Sequence, residues 1–370
     1  MARLRLCVPL LMLLWSVPGM SQGEEPVQYL EPTPATGSSA AVIVQASPWA
    51  QTSQMLAWDE AGKVVRPDDV AVQSEQVLKN LETALQVVES RLDQTVKLNV
   101  YVAHEESVSA VQQVVAKRFA GPAKPAVTYV TTALPHADAL VAMDAIAVIT
   151  SSKPVTGVRT TLSIPATSFR ARVTTMPLGS RIYISGQADQ ATTLAEATRL
   201  TLLGLEKSLK FSGRAKPDVV QLKCFLLPMS RVADVERELE NFFAPAAVPA
   251  VSYVEWESTL PIEIEVVAHG GATPQPAPVA SIEYLTPPEL KASPVFSRMA
   301  RVHHPSTIFI GGLHGATGAN GTQQVEQIFD QLGKLLQASG SDFKHLAKAT
   351  YYVSQDQRRR SKAWGMRDAV

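Results

Sequence analysis

Two glutamates, Glu263 and Glu265, interrupt an otherwise apolar run, Ile262-Glu-Ile-Glu-Val-Val-Ala268. Side chains alternate along a strand, so both carboxyls share one face. There they act either as ligand-facing acids or as structural partners for backbone amides. Ser185-Gly186 and Gly311-Gly312 end short apolar strands. A glycine at a strand end admits a ligand or a partner backbone, and packing explains it equally well. His303, His304, His314 and His345 cluster in sequence only; without Cys or carboxylates at ligand spacing they form no metal site. Cys224 lies in an apolar strand and reads as packing. Arg358-Arg-Arg360 reads as a solvated basic start to a helix. The sequence contains no Gly-rich phosphate loop, Ser-His-Asp pattern or basic-aromatic interleaving, and no cofactor is expected.

The elements that carry these residues recur. Val96-Lys-Leu-Asn-Val-Tyr-Val102 returns as Val220-Gln-Leu-Lys-Cys-Phe-Leu226, an offset of 124. At the same offset Leu78, Leu81 and Leu85 fall on Leu202, Leu205 and Leu209, one face of an amphipathic helix. Val108, Val111, Val115 and Phe119 fall on Val232, Val235, Leu239 and Phe243, and Pro125-Ala-Val127 on Pro249-Ala-Val251. A third copy follows: Thr307-Ile-Phe-Ile-Gly-Gly312 resembles Arg181-Ile-Tyr-Ile-Ser-Gly186, and Phe329, Leu332 and Leu336 continue the helix face at an offset of 127. Ala347 to Val353 is expected to repeat the strand after it. Val370 then matches Phe243, so the third copy is expected to be cut short. Tyr29-Leu-Glu-Pro32 and Tyr284-Leu-Thr-Pro287 open copies one and three alike. Within a copy the order reads strand, strand, helix, strand, helix, strand, strand, an α+β layer architecture. Repeats are expected at 28–150, 166–269 and 283–370, joined by a Ser/Thr/Pro-rich linker at 151–165 and a Pro/Ala tether at 270–282.

The first residues are of another kind. Met1-Ala-Arg-Leu-Arg5 is basic, Leu6 to Val17 is apolar, and Gly19, Ser21 and Gly23 are small. That order makes residues 1–23 a secretory signal peptide, too short for a comfortable membrane span; the alternative is a buried N-terminal helix or anchor. Cleavage near Ser21 or Gly23 removes Cys7 and leaves Cys224 alone, so no intramolecular disulfide forms. A secreted or periplasmic protein, free of the membrane after cleavage, is expected. With 34 basic and 34 acidic residues there is no general attraction to nucleic acid.

Copy two carries Ile184-Ser-Gly-Gln187, Asp218-Val-Val, Phe242-Phe243, Pro249-Ala250, Leu260-Pro261 and the glutamate strand, in that order from Ile184 to Ala268. Each motif is common alone; together they resemble the Rid/YjgF family, also called the endoribonuclease L-PSP family. The resemblance extends over the chain after residue 40. It implies a chorismate-mutase-like fold assembled as a trimer, with sheets forming an inner barrel and ligand clefts between subunits. Three copies on one chain then imply a monomeric intramolecular pseudo-trimer, each repeat a sheet with two helices on one face, binding a small-molecule ligand at unequal inter-repeat clefts.

Members with deaminase activity hydrolyse enamines or imines to keto acids and ammonia. The resemblance implies an arginine after the Pro-Ala pair, whose planar fork holds the substrate carboxylate. Here that position is Val127 and Val251, which equally read as core strand residues. The resemblance implies a retained carboxylate at Glu265, with Asp144 as its shorter counterpart. Tyr129 and Tyr253 follow the valines on the same strand face and offer phenols to the cleft. The expected site is therefore Glu265 and Asp144 as catalytic acids, with Val127, Val251, Tyr129, Tyr253, Ser185 and Gly186 contacting ligand. Two functions are open: an exported RidA-like hydrolase of small imine or carbonyl compounds with an altered site, or a non-catalytic small-molecule or partner-binding module.

Overall fold

The computed structural model describes residues 26–162, 172–274, 276 and 278–353. The expected leader at 1–23 and Arg358-Arg-Arg360 lie outside the described residues.

The first repeat runs β1 (Val27–Thr33), β2 (Ser38–Val44), β3 (Trp49–Thr52), β4 (Met55–Leu56), α1 (Val70–Gln86), β5 (Thr95–Val102), α2 (Val108–Arg118), β6 (Ala126–Thr131) and β7 (Val141–Val148). The second runs β8 (Arg159–Leu162), β9 (Arg172–Met176), β10 (Arg181–Gln187), α3 (Leu194–Phe211), β11 (Val219–Leu226), α4 (Val232–Phe243), β12 (Ala250–Glu255) and β13 (Ile262–His269). The third contributes β14 (Ile282–Leu285), β15 (Met299–Val302), β16 (Thr307–Ile310) and α5 (Gly321–Ala338). Strand β8 occupies residues expected as linker, because it pairs antiparallel with β9.

The helices start where side chains satisfy free backbone amides. Asp69 accepts from the amides of Ala71 and Val72 at α1, Thr193 from that of Glu196 at α3, and Asn320 forms a capping box with Gln323 at α5. The periodic leucines do what their spacing demands: Leu78, Leu81 and Leu85 are 0% exposed. Each contributes about 1.5–3 kcal/mol of burial free energy. They pack with Val111, Val115 and the outer faces of β5 and β7, and α3 and α4 cover β11 and β13 in the same way.

Three antiparallel seams join the repeats into a ring. Strand β3 pairs with β9 (Trp49 opposite Met176), β10 with β15 (Arg181 opposite Val302), and β16 with β2 (Thr307 opposite Val44). Trp49, Arg181 and Thr307 are thus equivalent positions in repeats one, two and three. The seam in which each repeat hands on to the next closes back onto the first, which is the pseudo-trimer. Ladder alternation sends one set of side chains to the helices and the other to a shared interior. That interior holds Val42, Val44, Trp49, Ile146, Val148, Met176 and Val267, joined by Tyr183 and Phe309.

The expected strand at Ala347–Val353 is not formed. The segment carries no ladder, whereas β5 and β11 are each flanked by two strands of their own repeat. Among the described residues of the third repeat no strand flanks Ala347–Val353, and without a partner for its backbone groups the segment has nothing to pair with.

Candidate functional site

Equivalent amides mark equivalent places in the three seams. Ser53, Ser185 and Gly311 each donate their backbone N–H across the ring, to the carbonyls of Arg172 (2.7 Å), Arg298 (3.0 Å) and Ala40 (2.8 Å). The next residues, Gln54, Gly186 and Gly312, then occupy one structural position with three different contents.

In the first seam Gln54 fills that position. Its amide side chain donates to the Tyr253 carbonyl (3.0 Å) and accepts from the Tyr253 N–H (3.2 Å), while Ser53 Oγ accepts from Val251 N–H (3.1 Å). The Gln54 N–H reaches the Val251 carbonyl at 2.8 Å. Val251 itself is 2% exposed and belongs to the core beneath α3 and α4. In the seam between repeats three and one, the Gly312 N–H donates to the Val127 carbonyl at 2.8 Å, and Val127 packs in the core beneath α1. Tyr129, on the same strand face, is half-buried, and its hydroxyl meets no partner among the described residues. Enclosure holds that phenol well above the usual tyrosine range. Both valines therefore sit opposite a neighbouring repeat as the motif implied, but their side chains point into cores and their backbones zip the seams.

The seam between repeats two and three differs. Its difference lies in content: strand β10 shifts register against β13 between Ile184 and Gln187, with the same one-residue excess that repeat one shows between Gln51 and Met55, and here the bulge holds Ser185 and Gly186. Glu263 lies over Gly186, in the space a Cβ would claim. Burial, reinforced by the neighbouring charge of Glu265, pushes the Glu263 carboxyl up to about 7; Lys348 and Arg298 oppose the shift. Both cations come from the third repeat. Arg298 is steadied by a bond from Nε to the Lys291 carbonyl (3.0 Å) and by the Phe296 ring, 5.0 Å away. A carboxyl titrating near neutrality can give and take a proton, and a cation in its neighbourhood such as Arg298 can attract an anion.

Glu265 and Asp144 occupy equivalent ladder positions, opposite Lys223 and Asn99, and point into the shared interior. Glu265 pairs with Lys348. Asp144 is 0% exposed and accepts from Asn99 Nδ2 (2.7 Å), Tyr101 Oη (2.6 Å) and Ser252 Oγ (2.7 Å). With three donors from two repeats on its oxygens, this carboxylate ties the ring together. Among the described residues no group of three His, Cys, Asp or Glu side chains is placed to hold a metal ion, and two of the four histidines are engaged elsewhere: His303 bonds Ser180 Oγ at 2.8 Å and His345 bonds Asp342 at 2.7 Å. Cys224 is buried, and burial raises its thiol far above the usual range.

Glu263 was legible as the face-mate of Glu265, but its position over Gly186 depends on the bulge. Arg298, Lys97, Lys223 and Lys348 carried one signal, a cation at alternate places in apolar strands or in a loop outside any motif. No described helix is long and apolar enough to cross a membrane.

The endoribonuclease L-PSP family model matches residues 30–149 and 163–270. Similar solved structures include the conserved Rid family protein YyfB of Yersinia pestis, 22% identical over 34% of this chain and 100% of its own (TM-score 0.31). A YjgF/YER057c/UK114 family member of Mycobacterium tuberculosis is 24% identical over 30% of this chain and 99% of its own (TM-score 0.23). Yeast Mmf1 is 23% identical over 36% of this chain and 91% of its own (TM-score 0.25). No curated protein matches the chain. Two tandem matches spanning the first two repeats identify this chain as a member of the endoribonuclease L-PSP, or Rid/YjgF, family.

Proposed function

We propose that this protein is an exported, secreted or periplasmic hydrolase of small imines or enamines, with its working centre at the seam between repeats two and three. The observation that carries the reading is Glu263, held over Gly186 with its carboxyl raised to about 7 and with Arg298 and Lys348 within electrostatic reach. At neutral pH both forms of such an acid are present. The protonated form donates to the imine nitrogen while the ionised form takes a proton from water. Water oxygen bonds to the carbon, the carbon–nitrogen bond breaks, and nitrogen leaves as ammonia with a carbonyl left behind. Arg298 stands in for the arginine that Val127 and Val251 replace, holding a substrate carboxylate.

A non-catalytic small-molecule binder is the second reading, favoured by the two zipped seams, where Gln54 and the Gly312–Val127 bond occupy the cleft position. Ammonia release from an imino acid generated in situ separates the two. Wild type is expected to accelerate release, Glu263→Gln to abolish the acceleration, and Glu265→Gln to reduce it less. Wild-type protein no faster than buffer would remove the enzyme reading, and an unimpaired Glu263→Gln would remove the assigned centre.

A further inference from the structure

Among the described residues, the cavity inside the ring is lined by three lysines and a single carboxylate, that of Glu265. Lys97, Lys223 and Lys348 line a cavity of about 1000 Å³ that runs from the barrel centre toward the apolar face of α5. Lys348 is paired with Glu265. Asp144, at the ladder position equivalent to Glu265, already holds three neutral donors. Lys97 has only neutral acceptors among its recorded bonds: Thr128 Oγ1 at 2.6 Å and the Ile310 carbonyl at 2.7 Å. Lys223 stands 3.4 Å from Tyr352 Oη.

Enclosed in the barrel and facing the charge of Lys223, the Lys97 amine is drawn down to about 7, with Asp144 opposing the shift. Burial also works against the charge on Lys223, but Tyr352, Asp144 and Glu265 outweigh it and hold that lysine above its usual value. Two mutually repelling amines across one cavity are the arrangement that an anion relieves.

A second feature points to the same place. Gln51 lines the cavity at 2% exposure, and its Oε1 meets no hydrogen-bond donor among the described residues. An unsatisfied buried carbonyl costs about 1–3 kcal/mol unless something donates to it. Gln51 and Lys97 lie opposite the same residue, Ile146, on its two sides in the sheet. Two strand spacings separate them, roughly 10 Å between backbones, with both side chains on the inner face. In the second repeat the equivalent positions around Val267 are Tyr183 and Gln221, so this combination of amine and open carbonyl belongs to the first repeat.

We propose that the barrel interior binds a small hydroxycarboxylate, its carboxylate between the Lys97 and Lys223 ammonium groups and its hydroxyl donating to Gln51 Oε1. The proposed ligand contacts, Lys97, Lys223 and Gln51, are not used by the seam at Glu263, although Lys348 borders both. Because the anion restores the charge on Lys97, binding above neutral pH takes up a proton.

Calorimetry on the full chain at pH 8, in two buffers of different ionisation enthalpy, tests this with glycolate, acetate and glycolamide as probes. Glycolate is expected to bind with uptake of close to one proton, acetate more weakly, and glycolamide not at all. Lys97→Met should weaken glycolate at least tenfold. Lys97→Arg should bind with no proton uptake, which keeps the test decisive if the methionine variant does not fold. Gln51→Leu should abolish the preference for glycolate over acetate. Absence of saturable heat with glycolate, or proton uptake unchanged in Lys97→Arg, overturns the proposal.

Discussion

The carboxyl of Glu263 lies over Gly186, filling the volume that any larger residue at 186 would need. A Gly186→Ala methyl would collide with that side chain, which can swing away because the crowding involves its flexible end. The expected result is a small loss of stability, about 1 kcal/mol, with a large loss of imine hydrolysis. Thermal melts beside the ammonia assay check this, and equal losses in both would show a purely structural glycine.

Glu263 also makes stability depend on pH in a defined direction. Its folded pKa, about 7, lies above the unfolded value of 4.5, so the folded state binds more protons between these limits. The stabilising contribution is full below about 4.5 and is lost as pH rises through 7. Glu263→Gln should therefore gain on wild type by about 1–3 kcal/mol between pH 4.5 and 7.5, after allowance for solvent screening. Urea titrations at the two pH values measure it.

Lys97 has the opposite sense. Its folded value near 7 lies below the ordinary 10.5, so the unfolded state binds more protons between them and stability rises with pH across that window. The stability difference between Lys97→Met and wild type should be most favourable to the variant at pH 7 and shrink toward pH 10. A difference independent of pH would show that the amine is not perturbed by folding.

Asp144 is expected to be structural. Truncation to alanine strands Asn99, Tyr101 and Ser252 and leaves two interior lysines less compensated, at a cost of about 3–5 kcal/mol. Asp144→Asn should recover part of this. Urea midpoints rank the two, and a neutral Asp144→Ala would contradict the assignment.

The Gln54 seam provides an independent check on how the ring is held. Gln54→Ala removes two hydrogen bonds to the Tyr253 backbone and should cost about 1–3 kcal/mol. Hydrogen exchange at the Tyr253 amide should accelerate sharply, while amides beneath α1 stay protected.

Much of this was legible in the residues. The helix faces at Leu78, Leu81, Leu85 and their repeats landed buried because helical spacing and apolarity are local facts that burial then rewards. The tandem register and the α+β order followed from the same periodicities, and the family match covers the first two repeats. The site was legible only in part. Glu263 and Glu265 were known to share a face, but which one meets Gly186 depends on a one-position shift of β10 against β13. Ala347–Val353 has the composition of a strand, yet a strand exists only when a neighbour accepts its backbone bonds.

The sequence by itself determined the repeats, their helices, the strand alternation and hence which residues face inward, because these depend on spacing within one segment. Only the tertiary structure decided what those inward residues meet. The Val127 and Val251 backbones zip two seams, Asp144 binds three donors from two repeats, and Lys97 faces Lys223 across a cavity. Apart from Asn99 and Tyr101 on Asp144, such encounters join positions more than a hundred residues apart. No local pattern encodes them; they arise when the seams form, as when β15 pairs with β10 and brings Arg298 within reach of Glu263 and Gly186.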